Sequence, residues 1–231
     1  MLNKTVSGLL VFLFTVASLS AINVKPAKST WTGTVTVYIR ADGSIEPPDA
    51  PIVIYNNITY TLTDNIIGSI VIEKSYITLD GAGYALRGLG TGCGIFSDVA
   101  VNVTVRDIHI SGFLKAIEIC NRAHSWVITN NTITNNTVGI ALGYLTYDNV
   151  VSENYITNNN NAGIVISGDS ISNSIVNNTI TGSIFGIYIV TTFGNGDNVI
   201  VGNNIASNEY GVFISNSNDD IFYHNNFILN T

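Results

Sequence analysis

Residues 130–142 read N-N-T-I-T-N-N-T-V-G-I-A-L, and much of the chain is that stretch repeated with drift. Residues 153–166, 177–189 and 202–214 are later copies, another begins at His224, and residues 107–119 are a degenerate earlier one. Aligned on the first apolar position they give Ile110, Ile133, Ile156, Ile180, Ile205 and Phe227, spaced by 23, 23, 24, 25 and 22 residues on subtraction. A period in this range marks one supersecondary unit per repeat, stacked on its neighbours. Inside each copy the apolar residues alternate, as at Ile140 and Leu142 or Ile164 and Ile166, and no copy holds a helix-length run at i, i+3, i+4. At about 3.3 Å per residue such a coil holds three short strands with their turns, and strands of successive coils lie about 4.8 Å apart. The sequence therefore predicts an all-β chain, a right-handed parallel β-helix with three-strand coils of 22–25 residues and an irregular β cap at its N-terminal end.

Stacking turns sequence positions into columns. Ile117, Ile140, Ile164, Ile187 and Val212 form one inward apolar ladder, and Ile119, Leu142, Ile166, Ile189 and Ile214 form a second. Asn131, Asn154, Asn178, Asn203 and Asn225 form a polar ladder two residues before the aligned apolar position. An amide side chain carries both donors and an acceptor, so like asparagines at strand spacing bond up the stack. Asparagine also tolerates the left-handed conformation of a sharp corner.

The repeat N-N-x-I-x-x-N-x-x-G-I-x-I, the segment I-T-L-D-G-A-G at residues 77–83 and the terminal F-Y-H-N-N-F-I at residues 222–228 resemble the parallel β-helix family of NosD-type proteins. That family is also described as a carbohydrate-binding and sugar-hydrolase β-helix domain. The resemblance covers roughly residues 70–231 and implies the solenoid fold. It leaves function open, because such helices serve lyases, hydrolases, adhesins and accessory proteins alike. It also implies an association with copper delivery, and copper needs His, Met or Cys converging at short range. Here His109 and His124 stand about eight positions out of column, His224 is coils away, and Met1 leads the chain, which argues against a dedicated copper site.

Residues 6–19 are uncharged and follow Lys4, with small residues Ser18, Ser20 and Ala21 at the end of the run, the pattern of a secretory signal peptide over residues 1–21. The alternative is an uncleaved anchor, for which the run is short of the ~20 residues a span needs. Past this segment no stretch is apolar and uncharged for long enough to cross a bilayer. Removing Lys4 moves the formal charge from −7 to −8. An acidic surface disfavours nucleic acid and anionic membranes as partners and suits divalent cations or neutral glycans. A secreted or cell-envelope location follows from the leader.

Residues 22–30 form a linker without period. Residues 31–68 hold an alternating strand, a Pro-rich loop at Pro47, Pro48 and Pro51, and two short strands joined at Asn56 and Asn57, and they are assigned to the N-terminal cap. Residues 69–231 are the repeats, which stop without a polar cap, so the chain reads as truncated or as covered at that end by a partner protein. The Gly-rich residues 88–94 lead into a strand, with no helix and no Lys-Ser/Thr after them, and read as a solenoid corner instead of a phosphate cradle. Register puts Cys93 opposite Lys115, five positions from Cys120 along the coil. Five positions are roughly 16 Å, too far for a disulfide, so two separate thiols are expected. Sequons at Asn57, Asn102, Asn130, Asn135 and Asn177 arise partly from an Asn/Thr-rich repeat.

Two columns carry candidate chemistry. In the turn before the strand, Asp148, Ser172, Asp197 and Asp219 align, followed by Asn149, Asn173, Asn198 and Asp220. Asp197, Asp219 and Asp220 would then cluster, either as oxygen ligands for calcium or as paired carboxylates for a polysaccharide lyase or glycoside hydrolase. Asp and Asn are also simply what turns use, and the basic residues Lys74, Arg87, Arg106, Lys115 and Arg122 all lie upstream. The second column points outward, with Glu118, Ala141, Val165, Tyr188 and Phe213 between the two apolar ladders. Tyr188 and Phe213 would sit side by side on the outer face, where exposed aromatics bind sugar rings or a partner, unless a flanking loop at residues 191–196 covers them. The sequence thus supports non-catalytic binding of carbohydrate or a surface polymer, with an enzyme and an accessory or structural adhesin segment as the competing classes.

Overall fold

The computed structural model describes residues 35–231, the side chains of residues 192–195 excepted. The signal peptide and linker expected at residues 1–30 and the first four residues of the cap lie outside the described residues.

The described chain is a parallel β-solenoid with three faces. Face A stacks Ile66–Ile72, Cys93–Ser97, Lys115–Ile119, Val138–Leu142, Ala162–Ser167, Phe185–Asn195 and Tyr210–Asn218. Face B stacks Thr59–Leu62, Ile77–Asp80, Val103–Arg106, Val127–Thr129, Val150–Ser152, Ser174–Val176, Val199–Val201 and Ile221–Tyr223. Face C runs from Ala85–Arg87 through His109–Ser111, Thr132–Thr134, Tyr155–Thr157, Thr179–Thr181 and Asn204–Ala206 to Asn226–Ile228. Ile66–Ile72 is long enough to serve both faces A and C, pairing Ile66 with Leu86 and Ile70 with Ile95.

The register is the one the period predicts. Ile117, Ile140, Ile164, Ile187 and Val212 are successive partners, as are Ile119, Leu142, Ile166, Ile189 and Ile214. Ile110, Ile133, Ile156, Ile180, Ile205 and Phe227 stack the same way on face C. From Ile110 to Ile205 these side chains are buried, so each coil covers the apolar ring of the last, the usual source of solenoid stability.

The corners explain the asparagine content. Each coil turns at residues with positive φ: Asp107, Asn130, Glu153, Asn177, Gly202 and His224 at one corner, with φ between 54° and 68°. Ser125, Asp148, Ser172, Asp197 and Asp219 hold a second corner, and Asn135, Asn158, Gly182, Ser207 and Leu229 a third. The residue after each turns inward, and there it is usually asparagine. Asn131 Nδ2 donates to Asn154 Oδ1 at 3.0 Å, Asn154 to Asn178 at 3.0 Å, Asn178 to Asn203 at 3.0 Å and Asn203 to Asn225 at 2.9 Å. Each Oδ1 also accepts the backbone N–H of the preceding member, so one amide satisfies the polar groups a corner would otherwise bury unpaired.

Two more ladders stand at the other corners, one along the column of Asn149, Asn173, Asn198 and Asp220 that the sequence aligned as turn residues, and one that the sequence did not reveal. Asn136 bonds Asn159 at 3.0 Å, Ser183 replaces asparagine in the next coil, and Asn208 bonds Asn230 at 3.1 Å. Asn149, Asn173 and Asn198 form the third, with Asp220 as its last member.

Parallel pairing starts earlier than residue 69. Val35–Ile39 pairs in parallel with Ile66–Ile72, and Thr59–Leu62 with Ile77–Asp80. Among the described residues, antiparallel pairing within the cap is confined to Ile45–Glu46 against Val35–Ile39 and to the hairpin of Ile52–Tyr55 with Thr59–Leu62. Asn56 and Asn57, at φ 52° and 55°, make that hairpin's turn, where two successive left-handed residues match the strand twist. Gly68 is required by space as well as by its φ of 144°, since a Cβ there would lie 1.8 Å from the Val35 carbonyl oxygen.

Candidate functional site

The outward column on face A gathers aromatic side chains in its last two coils. Tyr188 pairs in register with Phe213, and their ring centroids are 5.5 Å apart in an edge-on arrangement. Two rings that the sequence reading did not place join them. Phe185 pairs with Tyr210, stacked at 5.3 Å, and Phe185 also stacks on Tyr188 at 5.1 Å. Strict alternation back from Tyr188 would turn Phe185 inward. Instead Gly186 and Ile187 are both inward, because the glycine lets two successive residues face the core, and Phe185 is thereby returned to the outer face. The signal was the pairing of F-G-I-Y at residues 185–188 with Y-G-V-F at residues 210–213. Phe213 keeps 40% and Tyr210 43% of their surface exposed. The backbone expected to form a covering loop at residues 191–196 continues the strand as far as Asn195, with a register shift between Val190 and Gly194.

The acidic candidates divide between two roles. Asp197 and Asp219 are exposed corner residues at φ 53° and 61°. Asp220 points the other way, and its Oδ1 accepts from the backbone N–H of Asn198 at 3.0 Å and from Asn198 Nδ2 at 2.8 Å. Its Oδ2 is buried without a hydrogen-bond partner, whereas the ladder-end amides Asn225 and Asn230 donate to the carbonyls of Ile200 and Ile205. Asp220→Asn supplies the missing donor and is expected to stabilise the fold by about 1 kcal/mol, read as a higher denaturant midpoint. A lower midpoint would show that the carboxylate has a partner an amide cannot replace.

Cysteine and histidine side chains are dispersed. Cys93 lies opposite Lys115 as predicted, and both thiols are free. Cys93 donates to Glu118 at 2.8 Å and Cys120 to Asp98 at 3.2 Å. Burial, with these carboxylates beside them, pushes both thiols up to about 12. His124 stacks on Tyr147 at 4.5 Å, His224 lies edge-on to Tyr223, and His109 is half-buried on face C. Among the described residues no three His, Cys, Asp or Glu side chains come together to hold a metal ion.

Stacked parallel coils, amide-laddered corners and an aromatic cluster on one face define a parallel β-helix protein. Residues 51–231 match the family model described as "Periplasmic copper-binding protein (NosD)". The chain belongs to the NosD family. No curated protein matches it in sequence. Among solved structures it is similar to a point mutant of the periplasmic alginate epimerase AlgG, with 15% identity and a TM-score of 0.55 over 83% of this chain and 52% of that one. It is also similar to the A-module of the Azotobacter vinelandii mannuronan C-5 epimerase AlgE4, with 14% identity and a TM-score of 0.50 over 75% of this chain and 59% of that one. The chain thus spans little more than half of either, and likeness at this identity concerns the fold. Among the described residues the thiols donate to carboxylates and the histidines lie apart, so these side chains do not converge as copper donors would.

Proposed function

We propose that this is a secreted or cell-envelope protein that binds carbohydrate without turning it over, using face A as a rigid platform. The observation that carries this reading is the cluster of Phe185, Tyr188, Tyr210 and Phe213 on a parallel sheet. A pyranose presents a C–H face that packs on an aromatic ring, and four neighbouring rings offer room for more than one sugar. The platform is fixed by the ladders beneath it, so little ordering entropy is lost on binding. The acidic balance of the chain suits a neutral glycan over an anionic polymer at this surface.

The test is a glycan array followed by calorimetry with the best neutral oligosaccharide. Tyr188→Ala with Phe213→Ala is expected to weaken binding at least tenfold, about 1.4 kcal/mol, while the thermal unfolding midpoint changes little. Undiminished affinity in that double variant overturns the assignment. Release of reducing or unsaturated sugar ends by the wild type, lost in Asp197→Asn and Asp219→Asn, would instead support the lyase or hydrolase class.

A further inference from the structure

Face C carries a second feature, near the N-terminal end of the solenoid and away from the aromatic cluster. Ala85, His109 and Thr132 are successive partners in one outward column, and Arg87, Ser111 and Thr134 in the next. The small side chain of Ala85 leaves a groove beside His109 of about 220 Å³, floored by Ile110 and lined by Arg87, Ser111, Thr132 and Thr134. His109 and Thr132 also line a second hollow of about 410 Å³, bounded at the corner by Asp80, Asp107 and Asn130.

The charges here are arranged unevenly. Arg106 binds Asp80 at 2.7 Å and lies 3.6 Å from Asp107, while Asn130 donates to the other Asp107 oxygen. Arg106 offsets one of those two carboxylates, so the corner keeps a net charge of −1. Arg87 is exposed and, among the described residues, has neither an ion pair nor a hydrogen bond. Burial lowers His109 from the ordinary imidazole value, so it adds no charge at neutral pH and offers one donor and one acceptor nitrogen. In a chain of net charge −7, the lining of the smaller groove therefore holds one cation and no carboxylate, beside a row of hydroxyls.

A guanidinium fork matches a carboxylate with two parallel hydrogen bonds, and hydroxyl, imidazole and carboxylate groups match the hydroxyls of a sugar ring. We propose that this groove binds a uronate residue of an acidic polysaccharide, its carboxylate held by Arg87 and its ring hydroxyls by His109, Ser111, Thr132 and Thr134. The site goes beyond the aromatic platform and stands or falls separately from it. It also gives the two faces different preferences, neutral sugar on face A and acidic sugar on face C.

The experiment is calorimetry with trisaccharides of galacturonate, mannuronate and guluronate, each against its carboxyl-reduced neutral counterpart. At least one acidic trimer is expected to bind tenfold or more tightly than its counterpart, with the preference shrinking as salt rises. Arg87→Ala is expected to remove the preference and Arg87→Lys to restore part of it, with an unchanged unfolding midpoint because the side chain is exposed. Tyr188→Ala with Phe213→Ala is expected to leave it intact. No preference for any acidic trimer, or a preference that survives Arg87→Ala, overturns the proposal; loss of the preference in the aromatic variant alone assigns it to face A and overturns it as well.

Discussion

Replacing Asn154 by alanine is expected to destabilise the fold by about 4 kcal/mol, because it strands several buried polar groups at once, each costing about 1–3 kcal/mol. The amide accepts from the backbone N–H and the Nδ2 of Asn131, both at 3.0 Å. It donates to Asn178 at 3.0 Å and to the carbonyls of Ile128 and Ser152 at 2.8 and 2.9 Å. Alanine removes all five bonds from a site too closed for water to replace them. Equilibrium unfolding in urea reads the effect, and Asn160→Ala is the control. Asn160 lies at the next corner of the same coil, beyond the strand Tyr155–Thr157, and is exposed, so its change is expected to stay within about 0.5 kcal/mol. Similar losses at the two positions would mean that asparagine serves the turns generally and that the ladder adds nothing.

Gly163→Val is expected to cost about 3 kcal/mol or more, the upper end of overpacking. Gly139, Gly163, Gly186 and Gly211 stand one above another where two consecutive residues turn inward. A Cβ on Gly139 would lie 2.4 Å from the Gly163 carbonyl oxygen, and one on Gly186 would lie 2.4 Å from that of Gly211. At Gly163 a Cβ would meet the Gly186 carbonyl at 2.7 Å and Ile180 Cγ2 at 2.5 Å. None of these glycines has a positive φ, so the requirement is for space and not for backbone freedom. The loss is measured as the fall in unfolding midpoint, and a variant as stable as the wild type would show that the coils spread to admit a side chain.

The columns at Ile133, Ile140 and Leu142 were legible because an inward apolar residue recurs at each period and nothing local competes with that signal. The ladder from Asn131 to Asn225 was legible for the same reason. The column through Asn149 aligned in the sequence but not as a ladder, and the one through Asn136 went unseen, since asparagine beside aspartate or threonine already reads as turn composition, and only the corner geometry tells which of two adjacent residues faces in. That ambiguity also grouped Asp220 with Asp197 and Asp219, although the structure turns Asp220 into the core and leaves its neighbours in solvent. Tyr188 and Phe213 followed from alternation, and Phe185 and Tyr210 escaped it because the inward glycine shifts the phase by one residue. The groove at Arg87 was hidden by the irregular spacing of the early coils, where partners are fixed only by pairing. The period, in short, carries the core, and departures from it carry the surface chemistry.

The most direct test of the carbohydrate platform is an aromatic ¹H–¹³C NMR titration of the Tyr- and Phe-labelled protein with the best neutral oligosaccharide. The expected result is that the ring signals of Phe185, Tyr188, Tyr210 and Phe213 move together along one binding curve while those of exposed Tyr55, Tyr76 and Tyr144 stay still. Saturation of the protein by calorimetry with those four signals unmoved would contradict it.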